Sequence, residues 1–174
     1  MRKAGSAISR TGAGRAAGVK AITQPDTRWL HCDIKTVQLL PNVMAKQKAQ
    51  LAGALEAIFI RDGIVTEGTH TSVFGVKDGT LLTHPLSPLI LPSITREVVL
   101  EIAREQRVLV REEPFSARQL FELDELWVSG TTTDITPIVE VDGRRIGSGS
   151  PGPVAKQLYA ALQARLYAGT AVAR

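Results

Sequence analysis

Arg28-Trp-Leu-His-Cys-Asp-Ile-Lys-Thr-Val-Gln-Leu-Leu-Pro-Asn-Val-Met-Ala-Lys-Gln47 is the stretch on which the reading of the fold turns. Its first part has period two. Leu30, Cys32 and Ile34 fall on one side, and Trp29, His31, Asp33 and Lys35 on the other, which is the pattern of a half-buried strand. From Leu39 the period becomes helical. Leu39, Leu40, Val43, Met44, Gln47 and Leu51 share one face, and Pro41 suits a first helical turn. The stretch therefore predicts a strand, then a helix over 41–53 whose apolar stripe faces the core. Lys35 stands near the junction, on the polar side. A lysine there is ordinarily a solvent residue, since lysine is seldom buried without a partner. Cys32 falls on the apolar side and reads as a small buried hydrophobe.

Beyond this stretch, strands and helices alternate. Glu56–Arg61 is a strand running into the Asp62-Gly63 turn, and Ser72–Lys77 with Thr80–Thr83 forms a hairpin across Asp78-Gly79. Ser93 precedes an amphipathic helix carrying Val98, Val99, Ile102 and Ala103. Residues 107–111 form a short strand, and Ser116 and Gln119 match a capping box. Residues 126–129 and 138–141 are strands, the second running into Asp142-Gly143. The Gly/Pro-rich loop 147–153 leads to a last helix with Val154, Leu158, Ala161, Leu162 and Leu166 on one face. This order predicts one α+β domain built round a sheet or partial barrel with surrounding helices.

The chain of 174 residues is the size of one ordinary domain, and 44% of it is hydrophobic. No run reaches the eighteen or so apolar residues of a membrane span. Its single cysteine excludes an internal disulfide and fits a reducing, cytoplasmic setting. The net charge of +4 belongs to the N-terminus. Residues 1–25 hold five basic residues and no acid, whereas the remainder holds sixteen basic and seventeen acidic residues. Nucleic acid is therefore not expected as a partner. Residues 1–17, rich in Ala, Gly, Ser and Arg, read as a disordered basic leader, and residues 18–174 as the folded domain.

Singly, the polar motifs say little. Ser93-Ile-Thr-Arg96 would be a helix cap, and Glu67 in Thr66-Glu-Gly-Thr-His-Thr-Ser72 a turn carboxylate. His31, His70 and His84 lack ligand partners at zinc spacing, so no metal site is expected. Ser129-Gly130 lacks the surroundings of a nucleophile elbow.

In this order, however, five blocks resemble the class IV aminotransferases, pyridoxal-phosphate enzymes of fold type IV. The blocks are Arg28-Trp-Leu-His-Cys-Asp-Ile-Lys-Thr36, Val65-Thr-Glu-Gly-Thr-His-Thr-Ser-Val-Phe74, Leu91-Pro-Ser-Ile-Thr-Arg96, Ser129-Gly-Thr-Thr-Thr-Asp-Ile-Thr-Pro-Ile138 and Gly147-Ser-Gly-Ser-Pro-Gly-Pro-Val-Ala-Lys-Gln-Leu158. Within the class they are most similar to the D-amino acid aminotransferase group, through Cys32-Asp-Ile-Lys35 and the Gly-Ser-Gly-x-Pro-Gly-Pro block. The resemblance spans about Gly18 to Leu162.

The resemblance implies a C-terminal, cofactor-binding domain of that fold. It implies transamination between a D-amino acid such as D-alanine and a 2-oxo acid such as 2-oxoglutarate, with pyridoxal 5'-phosphate as cofactor. Lys35 matches the lysine that condenses with the cofactor aldehyde and moves a proton at the substrate carbon. Glu67 matches the carboxylate that keeps the pyridine nitrogen protonated. Ile94 and Thr95 match the helix start that takes the phosphate, and Thr131 matches a further phosphate ligand. Arg28 matches an arginine beside the cofactor. His70 stands where the D-amino acid group usually has a small hydroxyl residue, which bears on substrate preference. The family is generally dimeric, so a homodimer is expected. The family also has a first domain ahead of a linker that Gly18-Val-Lys-Ala-Ile22 resembles, and residues 1–17 offer no counterpart to it. A catalytically deficient remnant is thus one alternative expectation. A branched-chain aminotransferase or aminodeoxychorismate lyase relative is another.

Overall fold

Asp-Gly turns and one set of parallel strands organise the chain. In the computed structural model, residues 17–167 are described, and all but the last residue of the proposed leader lies outside them. The strands are β1 (Val19–Pro25), β2 (Glu56–Arg61), β3 (Ile64–Gly68), β4 (Ser72–Lys77), β5 (Thr80–Thr83), β6 (Leu109–Arg111), β7 (Glu125–Gly130), β8 (Asp134–Val141) and β9 (Arg144–Arg145). The helices are α1 (Leu40–Leu51), α2 (Ile94–Glu105) and α3 (Pro153–Tyr167), with a 3-10 turn at Gln119–Glu122. One mixed sheet runs β3-β2-β1-β8-β7-β4-β5-β6, and β9 pairs with β8. The turns 62–63 and 78–79 hold both residues at positive φ (50° and 78°, 49° and 73°), the geometry that closes a two-residue hairpin.

Both faces of the central strands are covered, so alternation sorts apolar residues between two cores rather than between core and solvent. Val73, Leu126 and Val128 join the cluster with Val19, Ile58, Leu120 and Ile138. Phe74 and Trp127, stacked at 5.8 Å, join the cluster that α2 and α3 cover through Val99, Ile102, Leu158 and Leu162. Ser93 Oγ accepts the Arg96 N–H and starts α2 at the expected residue. The Ser116–Gln119 box closes reciprocally, with Gln119 Oε1 accepting the Ser116 N–H (2.9 Å) and Ser116 Oγ accepting the Gln119 N–H (3.1 Å).

Three expectations need correction. Residues 29–35 are not a strand. They run as irregular turns, tied by the Cys32 N–H to the Pro88 carbonyl (2.7 Å) and the Ile34 N–H to the His31 carbonyl (3.1 Å). Cys32 is buried as expected, but Leu30 and Ile34 are exposed, because no strand among the described residues lies alongside this segment. Second, Gly18–Ile22 is not a linker. It enters β1, which lies between β2 and β8 and is parallel to both. Third, α1 turns its small residues inward. Ala45 and Ala49 pack on Ala54, Ala57 and Phe59, while Leu40, Val43, Met44 and Leu51 are exposed. Two alanines one turn apart let the helix approach the sheet closely at Ala57, and that contact sets its rotation against the larger apolar stripe.

Candidate active-site cleft

The turns at 28–39, the end of β3 with its following loop, the start of α2 and the end of β7 surround one cleft of about 450 Å³. Arg28, Lys35, Glu67, Ile94 and Thr131 all line it, although they are widely separated in sequence. Thr95 is the next residue of α2 but does not line the cleft. Asn42 of α1 also faces it, and its side-chain amide donates to the Thr69 carbonyl at 2.7 Å.

Lys35 is exposed on the wall. It owes its place to the turn segment, not to a strand end. Glu67 is buried at the end of β3. Its Oε1 accepts a hydrogen bond from Arg28 Nη1, and its Oε2 accepts the Leu91 N–H at 3.1 Å. Burial pushes the Glu67 carboxyl above its ordinary value, against the opposing charge and hydrogen bond of Arg28. Burial likewise raises the Cys32 thiol, so this residue is no ready nucleophile.

The N-terminus of α2 opens on the same space. Intrahelical bonding begins with the Glu97 N–H to the Ser93 carbonyl (3.0 Å), and Ser93 Oγ takes the Arg96 N–H. The preceding N–H groups of Ile94 and Thr95 have no intrahelical acceptor, so this end is suited to an anion. Gly130 closes the opposite side. A Cβ there would lie 3.1 Å from Thr133 Oγ1 and 3.3 Å from the His70 carbonyl, so the turn must pass close behind Thr131.

The loop after β3 hangs on a residue that sequence reading missed. Glu56, 1% exposed, accepts the Thr69 N–H (3.2 Å), the Thr69 hydroxyl (2.5 Å) and the Thr71 hydroxyl (2.9 Å). His70 Nδ1 lies 3.5 Å from the same carboxylate. Asp26 and Arg61 were also missed. They flank Arg28, with Asp26 Oδ2 accepting from Arg28 Nη2 at 2.8 Å and Arg61 Nη2 standing 3.0 Å from Asp26 Oδ1. The only local signal was a carboxylate two residues before Arg28; Arg61 is distant in sequence.

The model of the family described as amino-transferase class IV matches residues 7–141. A D-alanine aminotransferase of Bacillus licheniformis is 47% identical over 154 residues, covering 88% of this chain and 54% of that protein. A D-alanine aminotransferase of Staphylococcus haemolyticus is 44% identical over 141 residues, covering 81% of this chain and 50% of the relative. The chain thus spans about half the length of these relatives. Among solved structures, the branched-chain amino acid aminotransferase of Thermobaculum terrenum in its PLP form superposes with a TM-score of 0.83 at 31% identity, covering 93% of this chain and 54% of the other. The branched-chain amino acid aminotransferase of Escherichia coli superposes with a TM-score of 0.75 at 32% identity, over 84% of this chain and 52% of that one.

Proposed function

This chain belongs to the amino-transferase class IV family, and from that premise we propose that it is the cofactor-holding part of a pyridoxal-phosphate-dependent aminotransferase acting on D-amino acids. The observation that carries the reading is the convergence, in one cleft, of an amine, a buried carboxylate and a helix N-terminus. The residues fit the cofactor. About 450 Å³ lies within the usual range for small-molecule sites, with backbone N–H donors suited to a phosphate at one end and a carboxylate acceptor suited to a ring N–H at the other.

Pyridoxal phosphate, when bound, supplies an aldehyde that bonds to an amine and a ring that draws electrons from the adjoining substrate carbon. Lys35 is the amine of this cleft: its Nζ would bond the aldehyde carbon with loss of water, would be released when the substrate amine takes its place, and, once free, would carry the proton between substrate and cofactor carbons. Glu67, buried and held by Arg28 and the Leu91 N–H, would accept a hydrogen bond from the ring N–H and keep its proton in place. The backbone N–H groups at Ile94 and Thr95, and the hydroxyl or amide of Thr131, would take the phosphate. Arg28 lines the cleft beside the cofactor's place and would also hold Glu67.

The D-amino acid reading rests on relatives 43–47% identical that bear the name D-alanine aminotransferase, and a 2-oxo acid such as 2-oxoglutarate is proposed with it as the acceptor. The branched-chain enzymes match in structure at 31–32% identity, which supports the shared fold more than a shared substrate. No helix among the described residues is long and apolar enough to cross a membrane. A homodimer in the cytoplasm is part of the proposal, and the exposed Leu40, Val43, Met44 and Leu51 of α1 are apolar surface suited to association.

The purified chain, mixed with pyridoxal phosphate, reduced with borohydride and mapped by peptide mass, supplies the test. Label on Lys35, lost in Lys35→Ala, is the expected result, followed by turnover with D-alanine in preference to L-alanine. Equal labelling of Lys35→Ala would remove the lysine from its proposed role. Labelling of Lys35 without any turnover would identify the chain as a catalytically deficient remnant that still holds its cofactor.

A further inference from the structure

We propose that Asp26 is a positioning residue for Glu67: it takes the fork of the Arg28 guanidinium, so that Arg28 offers Glu67 a single N–H and Glu67 keeps its basicity for a ligand in the cleft. The inference builds on the role given to Glu67 above, but its test needs no cofactor.

Four side chains form the arrangement. Asp26 and Arg28 sit just after β1, Arg61 ends β2, and Glu67 lies in β3. The Asp26 side chain is fully buried. Its Oδ1 accepts from Arg28 Nε (2.9 Å) and the Arg28 backbone N–H (3.1 Å), and its Oδ2 from Arg28 Nη2 (2.8 Å). This is a two-pronged pair, the preferred geometry of arginine with a carboxylate. Arg61 grips the same carboxylate through Nη2 (3.0 Å) and Nε (3.3 Å), and the Thr66 hydroxyl adds a bond at 3.2 Å. Arg28 is further pinned by the Leu89 carbonyl at 3.2 Å and by the Phe59 ring, whose centre lies 4.5 Å from its Cζ. What remains to Arg28 is Nη1, and this meets Glu67 Oε1.

The charges balance at two positive and two negative. An arginine left to Glu67 alone would pair with it through both prongs and lower its proton affinity, since an adjacent arginine depresses a carboxyl by about one to three pH units. Asp26 prevents this by being the better-served partner. Consistent with that division, Asp26 is held down at about 2 while the Glu67 carboxyl is raised. The other titratable groups lining the cleft near Glu67 are Cys32 and Lys35 from the segment before α1, and His70 from the loop after β3.

The experiment follows the Glu67 carboxyl by carbon-13 NMR in the unliganded chain, labelled at glutamate side-chain carboxyls. The Glu67 signal is identified by its loss in Glu67→Gln. Asp26→Asn leaves two guanidinium groups facing one carboxylate, and the Glu67 midpoint is expected to fall by about one pH unit or more. Asp26→Glu should restore it in large part. Arg61→Gln removes the competing cation and is expected to raise the midpoint. This second variant carries the test if Asp26→Asn does not fold. A midpoint unchanged or raised in Asp26→Asn, or unchanged or lowered in Arg61→Gln, overturns the proposal. Failure of the Lys35 labelling would count against the cofactor reading alone and leave this titration standing.

Discussion

Replacement of Glu56 tests whether the cleft loop is held from behind. Its carboxylate accepts four hydrogen bonds: from the Ala57 N–H (2.9 Å), the Thr69 N–H, the Thr69 hydroxyl and the Thr71 hydroxyl. Lys46 Nζ stands 3.7 Å away. Glu56→Ala leaves two buried N–H groups without this acceptor, at about 1–3 kcal/mol each, and frees two hydroxyls besides. A total loss of about 3–5 kcal/mol is expected, which is large against the roughly 0.5–3 kcal/mol of most single substitutions. Glu56→Gln keeps the shape. Its amide oxygen can accept three of the four bonds, and its amide nitrogen can donate to the Thr71 hydroxyl. Its loss should be about 1–2 kcal/mol, since what disappears is mainly the charge assistance. Urea unfolding measures both, with the midpoint moving at constant slope. Because Thr69, His70 and Thr71 line the cleft, pyridoxal phosphate affinity should weaken in the same order. An alanine variant within about 1 kcal/mol of the parent, or as stable as the glutamine variant, would refute the argument.

Two further outcomes follow from the same geometry. Gly68→Ala would set a Cβ 2.1 Å from Thr71 Oγ1 and 3.2 Å from Glu56 Cδ, so Thr71 must turn and give up its bond to Glu56. A loss of about 1–3 kcal/mol is expected by urea unfolding, and it should shrink in the Glu56→Ala background, where that bond is already gone. For acid unfolding, burial alone would raise the Asp26 carboxyl, but the bonds from Arg28 and Arg61 outweigh it and bring it from 3.8 to about 2. Its contribution is therefore complete above about pH 4 and lost as pH falls through about 2, a drop of roughly 2 kcal/mol that Asp26→Asn should abolish in unfolding measured across that range.

Much of the fold was legible because its signals are local. Asp-Gly at 62–63, 78–79 and 142–143 marks turns by backbone chemistry alone, and all six residues have positive φ. Ser93 and the Ser116–Gln119 box mark helix starts through side chains that reach only three residues. The blocks around Lys35, Glu67, Ile94 and Thr131 were recognisable as a set, and the chain's family follows from them.

The remaining features depend on partners distant in sequence. β1 mixes strand formers (Val19, Ile22, Thr23) with Lys20, Ala21 and Pro25, which are not, and it lies within the sheet because β2 and β8 pair with it on either side. Residues 29–35 alternate like a strand but have none beside them among the described residues, so their backbone bonds go to turns and to Pro88. Periodicity shows that α1 has an apolar stripe, but not which side will meet the sheet; contact through Ala45 and Ala49 settled that. The Asp26–Arg61 and Glu56–Thr71 pairs join residues 35 and 15 positions apart. Sequence determines such charges and hydroxyls one by one, whereas their value to a cleft depends on burial and distance, which exist only once the sheet has formed.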